Sequence, residues 1–133
     1  MNKIILERFR TLIKKNRLAH AYLFIGPQGI GKSQTALAVA ALAIGAEDES
    51  SSLMKRVVSG NHPDVLVVTR GQEESAISID KIRELISRMQ LRPFEAPRKV
   101  CIIKNIEDKI LCDQILKYIS PHFYLDKIDG VAE

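Results

Sequence analysis

The stretch Gly26-Pro27-Gln28-Gly29-Ile30-Gly31-Lys32-Ser33 decides the reading of this chain. It satisfies the phosphate-loop pattern at each fixed position, a glycine and four residues followed by Gly-Lys-Ser/Thr. An apolar run, Ala21-Tyr22-Leu23-Phe24-Ile25, leads into it, and a helix-forming run over 34–44 leads out. Glycines let a backbone turn tightly and bring its N–H groups close to phosphate oxygens. A helix beginning near Lys32 points its unpaired N–H groups and the positive end of its dipole the same way. Lys32 is expected to face solvent and to reach β- and γ-phosphates, with the Ser33 hydroxyl completing a magnesium shell. The competing reading is a glycine-rich turn that merely precedes a helix. Agreement of the loop with both flanks favours the phosphate reading, with Gly26 to Ser33 binding a nucleoside triphosphate.

Composition bounds the rest. A chain of 133 residues with 46% hydrophobic and 27% charged residues reads as one ordinary soluble domain. Its longest apolar run, 36–44, is too short to cross a bilayer. The N-terminus reads as an amphipathic helix rather than a leader. Cys101 and Cys112 are the only cysteines. Without metal-ligand spacing they read as reduced core thiols, which points to the cytoplasm. The net charge of +4 is uneven. Lys3, Arg8, Arg10, Lys14, Lys15 and Arg17 face one acid, Glu7, in the first twenty residues, whereas 104–133 holds four lysines against six acids. A basic leading helix suits nucleic acid or an acidic partner surface, or is simply a solvated face. No aromatic residues interleave with these cations as a base-stacking platform would require.

Periodicity predicts a helix over 2–16 with Ile5, Phe9, Leu12 and Ile13 inward, and a strand over 21–25. The helix after the loop is apolar nearly all round and ends at Gly45. A short helix over 53–58 precedes the turn Asn61-His62-Pro63-Asp64 and a strand over 65–68. Ser78 reads as the N-cap of a helix striped by Ile79, Ile82, Leu85, Ile86 and Met89. The segment 91–97 breaks that helix, strand three covers 99–103, and a last helix covers 107–119. Strands alternating with helices imply a parallel sheet.

The ordered motifs resemble those of bacterial clamp-loader ATPases. Arg17-Leu18-Ala19-His20-Ala21-Tyr22-Leu23-Phe24 runs into the loop. Gly60-Asn61-His62-Pro63-Asp64, Ile77-Ser78-Ile79-Asp80-Lys81-Ile82-Arg83-Glu84-Leu85, Leu91-Arg92-Pro93-Phe94 and Arg98-Lys99-Val100 follow. Together these are similar to the N-terminal ATPase domain of DNA polymerase III delta-prime subunits, over residues 1 to about 103. The resemblance implies an AAA+ fold, an α/β/α three-layer domain with a mostly parallel sheet, incomplete at its C-terminus and lacking the lid and collar domains. It implies an ATP-binding subunit of a clamp loader in DNA replication, with the other loader subunits and the polymerase III holoenzyme as partners. DNA is then met through the complex, and no membrane is involved. Carried over residue by residue, Gly26, Gly31, Lys32 and Ser33 transfer, and His20 and His62 take structural roles.

Two departures shape the expected function. Strand three of the family ends in an acidic pair that holds magnesium and activates water, but here Lys104 and Asn105 stand there. Lysine cannot ligate a cation and asparagine cannot accept a proton from water. Glu107 and Asp108 fall instead at the start of the next helix, where acids suit the dipole. No catalytic residue is therefore assigned, and hydrolysis by this chain alone is doubtful. Many delta-prime proteins also carry a four-cysteine zinc module; residues 46–61 contain no cysteine, so no zinc is expected. A stunted fourth strand is expected at 122–126, beside strand one. The alternatives are a small nucleotide kinase, which lacks its lid arginines here, and a non-catalytic interaction module carrying a relic loop. A shortened product of a longer gene also stays open.

Overall fold

A computed structural model describes residues 2–19, 22–27, 29–69, 79–104 and 131–132. The order is α1 (Lys3–Lys14), β1 (Leu23–Phe24), α2 (Lys32–Ala43), α3 (Ser52–Val58), β2 (Val65–Val68), α4 (Ile79–Met89), β3 (Val100–Ile103) and β4 (Val131–Ala132). β2 and β3 pair in parallel, Val65 opposite Val100 through Val68 opposite Ile103. This is the α/β architecture expected of the AAA+ class. The predicted helix at 107–119 and strand at 122–126 lie outside the described residues, as do His20, Gln28, Ser78, Asn105 and Cys112. The described partner of β1 is β4, antiparallel, with Leu23 opposite Ala132. Sequence reading assigned no strand to 131–132. Two residues carry almost no periodic signal, and backbone pairing with β1 is what makes them a strand.

Beyond its first turn α2 has no polar residue to offer solvent. Ala38, Ala40, Ala41, Leu42 and Ala43 are all buried. Leu6 of α1 and Met54 and Val57 of α3 join Ala38, Ala40, Ala41 and Leu42 in one core cluster, against which Val65, Val100 and Ile102 pack. The inward face of α1 is turned from the predicted one. Leu6 and Phe9 are buried and Ile13 packs on the core, while Ile5 and Leu12 are half-buried. Phe9 also meets the Tyr22 ring edge-on at 4.7 Å and the Phe24 ring at 6.2 Å, tying α1 to β1.

The helix ends are cleanly specified. Asn2 caps α1, its side chain accepting from the Ile4 and Ile5 N–H groups, and Ser51 caps α3 through the Met54 N–H. Three helices finish on a residue in the left-handed region: Asn16, Gly45 and Gly60. In each, the next N–H reaches back five residues: Arg17 to Leu12, Ala46 to Ala41 and Asn61 to Arg56. That is the Schellman arrangement, which satisfies carbonyls the helix leaves open.

A buried carboxylate joins two motifs that lie far apart in sequence. Asp64 is fully buried. Its Oδ1 accepts from the Phe94 N–H at 2.6 Å, and its Oδ2 from Glu95 at 2.9 Å and Ala96 at 2.8 Å. The Asp64 carbonyl accepts from the Val100 N–H at 2.9 Å, opening the β2–β3 ladder. His62, also buried, accepts the Asp64 N–H at Nδ1, so its ring proton lies on Nε2, which donates to Glu95 Oε1 at 3.1 Å. Arg56 holds the same Glu95 oxygen at 2.7 Å. His62 is thus structural, as expected, while the role of Asp64 comes only from the structure.

Burial pushes the Asp64 carboxyl up, but the N–H donors of Glu95, Phe94 and Ala96 outweigh it and hold the group below the usual carboxylate range. Its stabilisation is therefore full above the unfolded value, about pH 3.9, and is lost as pH falls through the lower folded value. Asp64→Ala leaves three N–H groups without their acceptor and should cost about 2–4 kcal/mol in urea unfolding. Asp64→Asn should cost less at neutral pH and flatten the loss of stability below pH 4. An Asp64→Asn profile parallel to wild type would contradict this role.

Candidate functional site: the glycine loop and the α2 N-terminus

The loop between β1 and α2 is shaped by its glycines. Gly29 and Gly31 adopt φ values of 86° and 88°, a region that costs an L-residue about 1–2 kcal/mol. Gly31 is the α2 N-cap and makes no side-chain cap, so its carbonyl accepts from the Thr35 N–H at 2.9 Å while the helix's leading N–H groups have no side chain across them. Gly26 differs. A Cβ there would fall 2.5 Å from Ile30 Cδ1, the tip of a 56% exposed side chain with room to swing away. Pro27, Gly29, Ile30 and Ser33 are exposed, and Gly26, Gly31 and Lys32 half-buried.

Lys32 is not the solvent-facing side chain that the sequence suggests. It is half-buried, and its ammonium donates to the Gly26 carbonyl, folding across the loop. A lysine tip needs an acceptor when partly desolvated, and the carbonyl that opens the loop is within its reach. The bond holds a positive charge at the mouth of α2, beside the helix dipole. The loop is anchored from behind as well: Thr35, buried one turn into α2, accepts the Asn2 N–H at Oγ1 at 3.2 Å. The start of α1 is thereby fastened to the helix that carries the loop, a link that a spacing of 33 residues hides from sequence reading.

The end of β3 carries the other half of the expected chemistry. The Lys104 N–H donates to the Val68 carbonyl at 2.8 Å, so Lys104 continues the parallel ladder at the position where a carboxylate was sought. Its side chain is half-buried. Cys101, in the middle of β3, is a free thiol, half-buried rather than fully in the core. Burial pushes it up to about 12, the Arg88 charge opposing weakly. Reactive thiols need thiolate, so iodoacetamide at pH 8 should label Cys101 at least about tenfold more slowly in the native chain than in urea. Peptide mapping by mass spectrometry reads that residue separately from Cys112; equal native and denatured rates would contradict the assignment.

The fold and loop define an α/β protein in which a short strand, a glycine turn and an apolar helix open an uncapped helix N-terminus outward. A family model described as DNA polymerase III, delta subunit, matches residues 1–119. The chain belongs to that family, on the delta-prime side of it. It is 37% identical over 124 residues to DNA polymerase III subunit delta' of Bacillus subtilis, covering 87% of this chain and 37% of that protein. It is 33% identical over 96 residues to the delta' subunit of Pseudomonas aeruginosa, covering 67% of this chain and 29% of the relative. DNA polymerase III subunit tau of Bacillus subtilis is 27% identical over 109 residues, which is 77% of this chain and 19% of tau. The chain therefore spans about a third of the length of the two delta' relatives. Among the described residues no helix is long and apolar enough to cross a membrane.

Proposed function

We propose that this chain binds ATP in the loop Gly26 to Ser33 and serves as a delta-prime-type component of the DNA polymerase III clamp loader, without hydrolysing ATP itself. The observation that carries the reading is the α2 N-terminus: Gly31 leaves it uncapped and Lys32 sets an ammonium at its mouth. That combination is a receptor for phosphate oxygens. Lys32 would exchange its Gly26 carbonyl for a phosphate, and exposed Ser33 would help hold magnesium, which neutralises phosphate charge when bound. The glycines at 29 and 31 hold the backbone donors in place.

Hydrolysis needs a carboxylate to hold the metal and a base or positioning group for water. Lys104 supplies neither, and a cation at that place repels magnesium. The similarity to two delta' subunits supports membership of the polymerase III machinery in replication. The other loader subunits are the proposed partners, the cytoplasm the compartment, and DNA is approached within the complex.

Isothermal titration of the full chain with ATP and magnesium should give saturable binding. Lys32→Ala should weaken it by about 100-fold, near 2.7 kcal/mol. Stability should fall by no more than about 1 kcal/mol, the worth of one exchanged hydrogen bond. Phosphate release by the wild-type chain alone should stay at background. Unchanged affinity in Lys32→Ala would overturn the binding site. Turnover by the unmodified chain, or phosphate transfer to a nucleoside monophosphate, would overturn the hydrolysis-deficient reading.

A further inference from the structure

We propose that Ile30 is the catch of a latch that closes the glycine loop on itself, holding Lys32 on the Gly26 carbonyl in competition with phosphate. The closure stands on the loop's own geometry, and what opens it rests on the ATP reading of this loop. A single exposed isoleucine is ordinary. At 56% exposure, Ile30 needs a further observation before its position means anything.

That observation is where its tip lies. Gly29 and Gly31 lack a side chain for the sake of backbone conformation, with φ values of 86° and 88°. Gly26 is not among the positive-φ glycines, so its bare Cα serves space rather than backbone angle. The space is occupied. Ile30 Cδ1 stands 2.5 Å and Cγ1 3.6 Å from the point where a Cβ would be, and Lys32 Cδ stands 3.7 Å from the same point. The isoleucine tip and the lysine stem therefore converge on one residue. It is that residue's carbonyl which accepts from the Lys32 ammonium.

Two physical effects follow. Apolar atoms packed beside a hydrogen bond keep water from competing for its donor and acceptor, and the half-buried state of Lys32 fits that shielding. The catch is also mounted to move, because a residue between two glycines swings on the freest backbone a chain offers. Closed and open loops are then two populations, and only the open one presents the ammonium to phosphate. One hydrogen bond, net of water, favours closure by about two- to tenfold. Apparent affinity for nucleotide is lowered by the same order. Ile30 is thus a positioning residue that acts through Lys32.

The test reads Lys32 directly. A brief pulse of sulfo-N-hydroxysuccinimide acetate on the full chain without nucleotide, followed by peptide mass spectrometry, gives the acetylation rate of Lys32 relative to exposed Lys55. Ile30→Ala should raise that ratio at least about threefold, as expected for loss of most of one hydrogen bond's bias. Gly26→Ala, which leaves the isoleucine but takes its seat, should raise it too. In isothermal titration with ATP and magnesium, Ile30→Ala should bind about two- to fivefold more tightly than wild type. If circular dichroism shows Ile30→Ala unfolded, Ile30→Val, which drops only Cδ1 and keeps the branched Cβ, should shift the labelling in the same direction. A wild-type labelling ratio in the folded Ile30 variant would overturn the catch. A fall in ATP affinity would also overturn it, since the isoleucine would then be serving the bound nucleotide. Failure of wild type to bind ATP would overturn the ATP reading instead, and the labelling would still decide the latch.

Discussion

α2 must be wrapped on every side, and the rest of the structure follows from that requirement. A helix that places Ala38, Ala40, Ala41, Leu42 and Ala43 out of water on successive faces is stable only inside a layer of neighbours. Leu6 from α1 and Met54 and Val57 from α3 supply that layer, with Val100 and Ile102 of β3 packed against it. Small side chains let these elements approach closely, so the helix axis is held without a large aromatic on α2 itself. Once the axis is fixed, so are the direction of its dipole and the position of the glycine turn at its start. The placement of the turn from Gly26 to Ser33 is thus a consequence of core packing some distance behind it.

A second constraint keeps β2 and β3 in register. Asp64 uses its carboxylate to fix the backbone of 94–96 and its carbonyl to begin the ladder with Val100. An ionised group with no exposure is tolerated because three N–H donors replace its water. The ladder runs on to Lys104, which bonds Val68 through its backbone. The β-sheet machinery is intact at the place where the hydrolytic acids are missing. On the proposed reading, what would separate binding from hydrolysis is side-chain identity at the end of β3 rather than loss of the strand.

Much of this was legible in sequence because it is local. The glycine turn, the all-round apolar helix and the strands at 65–68 and 100–103 are written in patterns spanning a few residues. The α1 face was read one residue off, as Ile5 rather than Leu6, because either residue makes a helical stripe with Phe9 and Ile13 and only packing against the core decides between them. Asp64 looked like part of a turn after Pro63, since its acceptors serve N–H groups some thirty residues on. An aspartate placed between a proline turn and an apolar strand was the available signal. Lys32 bonding to Gly26 and Asn2 bonding to Thr35 were hidden for the same reason: periodicity says which face is buried, not which polar atoms meet.

The measurement closest to the central claim is an amide spectrum of nitrogen-15-labelled protein titrated with ATP and magnesium. The largest shifts should fall on Gly29, Gly31, Lys32 and Ser33, the residues of the turn and the first turn of α2, while the nucleotide stays uncleaved through the titration. Shifts confined to other elements, or no shifts at millimolar nucleotide, would contradict a binding loop that works without its hydrolytic partner.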